Sequence, residues 1–317
     1  MLSILRSNQP ITNLLLPFTG LVFLILGYFI GAETKPLPYT HAWIPATLNL
    51  AEMRWLHYLL IVWTGWLVNR VFVRHELSLD PSILAGWVTI FSLCLAEVFL
   101  PVSPIIMGSP FFVLGLNEVL KVYRQNDAAD KYFNAGFLFG IAVLFSWHYG
   151  WMLGAVIVSV LYTRAAQWRE ITLPIIGFFL PPLMWVSILW IMEVPFQEQW
   201  IGEQHLSRSG LKGSEISFLS YTAVLAVLGT LEMFRSFGSS SNKSKNSKAV
   251  LFFYVLFLLS GAVYSSIPSG TYSTHIAFMG TGFMVPYFFL QRKAGWQDIL
   301  LYVWIGLGVW MWIDLHL

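Results

Sequence analysis

Charged residues are scarce in this 317-residue chain. Asp, Glu, Lys and Arg together make up 11% of it, whereas a soluble globular domain carries roughly a quarter. Apolar residues reach 57%, and the mean hydropathy is +0.67. These values exclude the class of water-soluble domains and predict a protein whose main solvent is lipid. The formal net charge of only +2 also argues against a nucleic-acid partner.

Cysteine and the common catalytic motifs are nearly absent. Cys94 is the only cysteine, which excludes a disulfide within the chain, and its place in an apolar run predicts a packing role. The sequence has no Gly-rich phosphate loop, no Gly-x-Ser-x-Gly elbow, no Cys-x-x-Cys pair and no His-Glu-x-x-His segment. It therefore predicts neither a cofactor nor a metal site of a recognised type.

Long apolar runs dominate what is present. About 20 consecutive apolar residues are needed to cross a hydrocarbon core of about 30 Å, and windows of that length locate eleven candidate spans. The spans fall at about 11–31, 56–74, 82–101, 104–123, 132–147, 149–163, 171–192, 216–234, 249–267, 271–290 and 297–315. The sequence thus predicts an all-α, polytopic integral membrane protein with eleven transmembrane helices, forming a single transmembrane domain over residues 1–317.

The basic residues predict the orientation of these spans. Cytoplasmic loops of membrane proteins hold an excess of Lys and Arg, and an N-terminus in the cytoplasm places 14 of the 18 basic residues there. Only Lys35, Arg54, Arg208 and Lys212 then lie outside. We therefore expect a multi-pass protein of the bacterial inner membrane with its N-terminus inside and its C-terminus outside. The predicted inner residues are Arg6, Arg70, Arg74, Lys121, Arg124, Lys131, Arg164, Arg169, Arg235, Lys243, Lys245, Lys248, Arg292 and Lys293.

Two polar loops stand out on this topology. Residues 193–215 form the longest predicted outer loop, which contains the segment "EQWIGEQH". Residues 236–248, "SFGSSSNKSKNSK", have no apolar anchors and predict a flexible, basic cytoplasmic loop. Its three lysines could contact anionic lipid at about 1 kcal/mol each.

Small residues and prolines mark particular spans. Gly136 and Gly140, and likewise Gly150 and Gly154, have the spacing that lets transmembrane helices approach closely, so we predict packing roles for both pairs. The seventh span contains Pro174, Pro181 and Pro182. Because proline removes a backbone donor, this span should kink or break near its middle.

Ionisable groups gather on the predicted outer side, where a function could be built. Three interpretations remain open for them: unrelated interfacial residues, a proton-transfer or substrate-orienting site that uses His and Glu, or a divalent metal site without a recognised ligand spacing. The candidate catalytic residues are Glu33, Glu52, His57 and Glu97, and the candidate substrate-binding residues are His148, Glu203, His205 and His275.

Two segments in the middle of the chain carry a family resemblance. They are "KYFNAGFLFGIAVLF" (131–145) and "YTRAAQWREITLPIIGFFLPPLM" (162–184). They resemble an uncharacterised family of roughly 300-residue polytopic inner-membrane proteins of Bacteroidota, which brings no assigned activity. The matching positions are Phe133, Asn134, Ala135, Gly136, Phe137, Arg164, Trp168, Arg169, Glu170, Pro174 and Gly177.

A second resemblance concerns architecture. The segment "NAGFLFGIAVL" and the extended first outer loop are similar to those of membrane-embedded C-type glycosyltransferases, which take sugars from polyprenyl carriers. This resemblance implies that Glu33 or Glu52 acts as the base for an acceptor, although the loop contains no Asp. His57, Glu97 and His148 would then line the same outer pocket, with Glu203 and His205 closing it.

We therefore expect a protein of cell-envelope biogenesis that acts on a membrane-borne or lipid-linked substrate, with glycosyl transfer at the outer face as the implied reaction. Its partners would be membrane lipids and the lipid-linked substrate. The alternative is a non-catalytic scaffold or subunit of a larger membrane complex, with partner membrane subunits on its glycine-rich helices. The third hypothesis is a small-molecule transporter.

Overall fold

The computed structural model describes residues 5, 14–29, 50–78, 82–97, 104–123, 128–163, 167–193, 213–269, 273–291 and 295–316. In these ranges all regular structure is helical, with one α-helix for each predicted apolar run. The helices are α1 Leu15–Phe29, α2 Leu50–Arg74, α3 Leu84–Glu97, α4 Pro104–Leu120, α5 Ala129–Phe145, α6 Met152–Thr163, α7 Trp168–Ile191, α8 Gly213–Arg235, α9 Asn242–Ser269, α10 Ser273–Gln291 and α11 Trp296–His316. A short 3₁₀ helix, Trp147–Trp151, joins α5 to α6.

Four of these helices are long and apolar enough to cross a membrane. They lie at Trp55–Arg74 in α2, Trp168–Ile191 in α7, Ile216–Arg235 in α8 and Trp296–Asp314 in α11. The helical fold class is therefore established for the described residues, and the length and composition of these four helices indicate a membrane protein. That all eleven helices span the bilayer, and which end faces the cytoplasm, remain predictions.

An aromatic cluster forms the centre of the helix assembly. The ring of Phe112 on α4 lies 6.0 Å from that of Phe139, 5.9 Å from Tyr149, 6.4 Å from Tyr254 and 6.1 Å from Phe283. Tilted and edge-on ring contacts of this kind add to the stabilisation from burial alone. The cluster connects α4 with α5, the 3₁₀ helix, α9 and α10. Cys94 is buried in the same core, in keeping with the predicted packing role.

Among the described helices, α5 and α7 share the most extensive contact, and glycines make this contact possible. The buried residues of α7 recur at helical spacing and form one stripe. That stripe consists of Glu170, Pro174, Gly177, Phe178, Pro181 and Leu189. A methyl group added at Gly136 would overlap the backbone of Pro174, and one at Gly177 would overlap the backbone of Phe133. The two helices therefore touch backbone to backbone.

The three prolines lie inside α7, which continues as one helix from Trp168 to Ile191. The helix is therefore not broken at the prolines, and a kink, the other form of the prediction, stays a prediction. Pro182 has no N–H, so the carbonyl of Phe178 loses its partner within the helix. A methyl group at Gly140 would overlap this carbonyl, so the Cα of Gly140 approaches the freed oxygen closely. Neighbouring helices commonly compensate for proline in membrane helices in this way.

The glycine predictions differ in outcome. Gly136 and Gly140 have the packing role that their spacing predicts. At Gly154 an added methyl would lie 2.6 Å from the ring of Phe257, so this position is also packed. The prediction for Gly150 is wrong, because an added methyl would meet nothing within 4 Å. Gly150 belongs to the 3₁₀ connection and not to a helix–helix contact.

The segment 236–248 is folded in the structure. Residues 236–241 form turns, and Asn242 begins α9. Ser247 and Lys248 are buried, and the Nζ of Lys248 donates to the hydroxyls of Ser236 at 2.8 Å and Ser240 at 2.6 Å. The sequence suggests a linker because the serines lack apolar neighbours. The structure instead uses them as hydrogen-bond acceptors for a buried lysine.

In the predicted outer loop 193–215, residues 194–212 lie outside the described ranges, and α8 begins at Gly213.

The contact between α5 and α7 leads to a stability prediction. Gly136→Ala should destabilise the protein by about 1–3 kcal/mol, because overpacking forces the two backbones apart. The measurement is unfolding of the detergent-solubilised protein by heat or denaturant. Gly306→Ala in α11 is the matched control, since a methyl there meets nothing within 4 Å. This control should be neutral or slightly stabilising, because Ala favours helix over Gly. Equal stability of the two variants would contradict the close backbone contact between α5 and α7 at Gly136.

Candidate functional site: a basic cavity at one end of the helices

A cavity of about 420 Å³ lies where the ends of four helices meet. The C-terminal ends of α2 and α4 and the N-terminal ends of α5 and α9 surround it. Among the described residues, its lining contains four cations and no carboxylate, an arrangement suited to an anionic ligand. The lining residues are Arg74, His75, Leu120, Lys121, Tyr123, Lys131 and Lys243. We call this the basic cavity.

The end of α2 is shaped by a left-handed residue. Glu76 has φ of 53°, and its N–H donates to the carbonyl of Val73 while the N–H of Leu77 donates to Phe72. This pattern is the Schellman motif, in which the position of Glu76 usually holds Gly. Phe72 and Leu77 are both buried, which supplies the hydrophobic contact of the motif. The motif stops the helix directly after Arg74 and His75 and fixes both at the cavity.

His75 is buried and neutral. Its Nε2 lies 3.0 Å from Oδ1 of Asn117 on α4, which joins the ends of α2 and α4. Burial is the main cause that lowers the pKa of His75 to about 4. The hydrogen bond to Asn117 opposes this shift, and the nearby charges of Arg74, Lys243 and Lys121 add to it. At neutral pH the imidazole therefore adds hydrogen-bonding capacity to the cavity without charge.

The start of α9 is attached to the end of α2. The hydroxyl of Ser241 accepts the N–H of Ser244 at 3.2 Å, which is an N-cap. Lys243 donates to the carboxylate of Glu76 at 3.0 Å, and the hydroxyl of Ser244 donates to the carbonyl of Glu76 at 2.7 Å. The hydrogen bond from Lys243 is the main cause that lowers the pKa of Glu76. Glu76 thus remains ionised and holds Lys243 at the cavity wall.

Carboxylates outside the lining balance part of the positive charge. Lys121 pairs with Glu118, and Lys131 pairs with Asp130 at 3.0 Å. Among the ion pairs of the described residues, Arg74 takes part in none. Its exposed guanidinium can bind a phosphate with two parallel hydrogen bonds.

Two predicted site residues lie at the opposite end of the helices. His57 precedes Arg74 by 17 helical residues on α2, which corresponds to about 25 Å. His148 follows the C-terminus of α5, whose first turn carries Lys131. Both side chains are buried, with exposed fractions of 0% and 3%. The Nδ1 of His148 lies 2.8 Å from the hydroxyl of Ser146.

The other predicted site residues have no described side chain. Glu52 lies in the first turn of α2, Glu97 ends α3 and His275 lies in the first turn of α10, but the side-chain surroundings are outside the described part of the chain. Glu33, Glu203 and His205 are outside the described residues altogether. Convergence of the outer His and Glu residues therefore stays a prediction. Across the described side chains, no three His, Cys, Asp or Glu residues lie together as metal ligands.

The sequence predicts that the basic residues of the cavity lie on one membrane side, but it does not predict that they meet. The excess of basic residues at helix ends predicts that Arg74, Lys121, Lys131 and Lys243 share one membrane side. An orientation signal of this kind does not reveal that four of them surround one cavity. Their convergence depends on which helix ends are neighbours, and tertiary packing decides that.

The fold and the cavity define an all-helical protein with membrane-crossing helices and an anion-attracting end. The chain belongs to a family of unknown function (DUF6427), which matches residues 40–306. The resemblance to an uncharacterised family is confirmed to this extent, while its bacterial source and the similarity to glycosyltransferases stay predictions. Neither a curated protein nor a solved structure matches the chain.

The buried histidines predict a pH dependence of stability. In an unfolded chain the pKa of His is about 6.5, above the folded value of about 4 for His75. The unfolded state therefore binds more protons between these values, and stability falls as the pH drops from 6.5 toward 4. For His75 the loss between pH 7 and pH 5 should be about 2 kcal/mol.

His75→Gln tests this prediction, because Gln can still donate to Asn117 but does not titrate. Unfolding of the solubilised variant at pH 7 and pH 5 should show a smaller difference than the wild type. Burial also lowers the pKa of His148 to about 4. His148→Gln should therefore remove a separate part of the stability difference between pH 7 and pH 5. An unchanged pH dependence in His75→Gln would show that this histidine does not stay neutral in the folded protein.

Proposed function

We propose that this membrane protein binds a membrane-borne, phosphate-bearing lipid in the basic cavity, as part of cell-envelope biogenesis. The observation that carries the proposal is the convergence of Arg74, Lys121, Lys131 and Lys243 around one cavity. Basic pockets between membrane helices, at the level of the headgroups, are typical sites for anionic lipid headgroups. Phospholipids and polyprenyl-linked substrates both carry the phosphate that these side chains can bind.

The size and the chemistry of the cavity support a phosphate headgroup. Its volume of about 420 Å³ falls within the range of about 300–1,000 Å³ typical of ligand pockets. The charged lining groups are all donors, and the neutral His75 and the hydroxyl of Tyr123 add further hydrogen-bonding positions. A phosphate offers only acceptors when fully ionised, so the two sets are complementary.

The surroundings of the cavity favour a lipid over a soluble ligand. One face of α2 is exposed along the helix and mostly apolar, with Arg70 over the ring of Trp66, and it ends beside Arg74. The exposed apolar residues of this face are Trp55, Leu59, Trp63, Trp66 and Val73. An acyl or prenyl chain can lie along this face while its phosphate reaches the cavity. The predicted orientation of the chain places this binding at the cytoplasmic leaflet.

Glycosyl transfer at the outer face remains a separate hypothesis. Its proposed base, Glu33 or Glu52, has no described side chain, and His57 lies about 25 Å along α2 from the basic cavity. Lipid binding at the basic end does not depend on that reaction. The two hypotheses share the class of substrate, a lipid-linked molecule.

For the scaffold hypothesis, the glycine-rich helix faces that the sequence suggests as a partner surface are not accessible. Gly136, Gly140 and Gly154 are occupied by contacts within the chain, so these glycines cannot receive a partner helix. A partner subunit would instead use an exposed apolar face such as that of α7, where Leu183, Met184 and Trp190 are exposed. The transporter hypothesis gains no support at Pro181, which is buried beside Gly140.

A lipid-binding measurement on the full chain tests the proposal. The protein is placed in nanodiscs, and binding of phosphatidylethanol, a singly charged phosphodiester lipid, is compared with binding of zwitterionic phosphatidylcholine by native mass spectrometry. The wild type should prefer phosphatidylethanol. The double variant Arg74→Gln, Lys121→Gln should lower the affinity for phosphatidylethanol about 30-fold, because each basic residue contributes about 1 kcal/mol.

Arg235→Gln is the matched control. Its side chain is 70% exposed at the end of α8 and does not line the cavity. It should leave the affinity for phosphatidylethanol within about twofold. Equal losses in the control and in the double variant would indicate a diffuse charge effect and contradict the site. Soluble glycerol 3-phosphate, added as a competitor, should not displace the lipid; full displacement would indicate a free phosphorylated ligand instead.

A further inference from the structure

A second cavity of about 510 Å³ lies between the first turns of α5 and α7. Three of its lining residues, Phe133, Asn134 and Arg169, belong to the segments that carry the family resemblance. The packing of α5 on α7 does not explain Asn134 and Arg169, because both side chains are exposed. Among the described residues, the lining is Ala129, Asp130, Phe133, Asn134, Arg169 and Leu173. We call this the polar cavity.

The polar groups of this cavity differ in kind from those of the basic cavity. Asp130 supplies acceptors only, Arg169 supplies donors only, and the amide of Asn134 supplies both. A hydroxyl group both donates and accepts, so several hydroxyls can use such a mixed set fully. A second phosphate would be disfavoured, because the carboxylate of Asp130 repels an anion. The half-buried ring of Phe133 gives the cavity an apolar wall.

An ion pair joins the two cavities. Asp130 lines the polar cavity, Lys131 lines the basic cavity, and the two side chains pair at 3.0 Å in the first turn of α5. A group that is bonded to a phosphate beside Lys131 therefore lies next to the polar cavity.

We infer that the polar cavity binds a polyhydroxylated, sugar-like group attached to the phosphate of the lipid in the basic cavity. This inference rests on the proposed function and names its class of substrate: a phosphodiester lipid with a polyol or glycosyl headgroup. Asp130, Asn134 and Arg169 are the specificity-determining residues, and Arg74, Lys121 and Lys243 bind the phosphate.

The test compares two lipids that have the same charge. Phosphatidylinositol carries a ring of hydroxyls on its phosphodiester, and phosphatidylethanol carries none, so each brings a single negative charge. Binding of both to the full-length protein in nanodiscs is measured by native mass spectrometry. The wild type should bind phosphatidylinositol about 10-fold more tightly, as expected for one or two net hydrogen bonds.

Asn134→Ala should remove most of this preference and leave the affinity for phosphatidylethanol unchanged. Gln167→Ala is the matched control, since it removes an exposed amide near Arg169 that does not line the cavity. The control should keep the preference. The double variant Arg74→Gln, Lys121→Gln should lower the affinity for both lipids by the same factor, because both lipids carry the phosphate.

The outcomes separate the two proposals. Equal affinity of the wild type for both lipids, or loss of both lipids in Asn134→Ala, would overturn the inference and leave phosphate binding in the basic cavity intact. Failure of the wild type to prefer either lipid over phosphatidylcholine would overturn the proposed function, and the inference with it. If Asn134→Ala loses the preference for phosphatidylinositol while Gln167→Ala keeps it, the result would support both the proposed function and the inference.

Discussion

Backbone contact between α5 and α7 is the constraint on which the rest of the basic end depends. Gly136 and Gly140 on one helix, and Gly177 on the other, bring main-chain atoms together where any side chain would overlap. Without a hydrophobic force between helices in lipid, such close packing is the main attraction available. The contact also sets the distance between the first turns of the two helices. Asp130 on α5 is thereby placed opposite Arg169 on α7 in the polar cavity, and the neighbouring Lys131 lines the basic cavity.

Proline strengthens this arrangement, although the sequence suggests the opposite. Pro181 and Pro182 remove two hydrogen bonds from α7, and a helix in lipid cannot leave carbonyls unsatisfied without a cost of several kcal/mol each. The close approach of Gly140 to the carbonyl of Phe178 provides a compensating contact. A helix that lacked this partner would be expected to break. Here the prolines make α7 depend on α5, and the helix stays continuous.

The helical fold could be predicted from the sequence because its signal is local. Apolar runs of membrane-crossing length indicate where each helix lies, and each of the eleven runs contains one helix of the described chain. The basic cavity could not be predicted to the same degree. Its members lie at 74, 121, 131 and 243, and only the packing of α2, α4, α5 and α9 brings them together. The folded segment 236–248 could not be predicted either, since its structure rests on Lys248 and Glu76, which no local pattern connects.

Glu76 shows how the protein keeps a cavity rich in cations stable without a ligand. A left-handed conformation costs a residue with a side chain about 1–2 kcal/mol, and Gly would avoid this cost. Gly, however, could not hold Lys243 and Ser241, whose groups lie 3.0 Å and 3.3 Å from the carboxylate. The carboxylate neutralises one cation of the basic cavity, and Glu76 joins the start of α9 to the end of α2. A bound phosphate would compete with Glu76 for Lys243, so the affinity of the cavity for anions is set by the difference between these two partners.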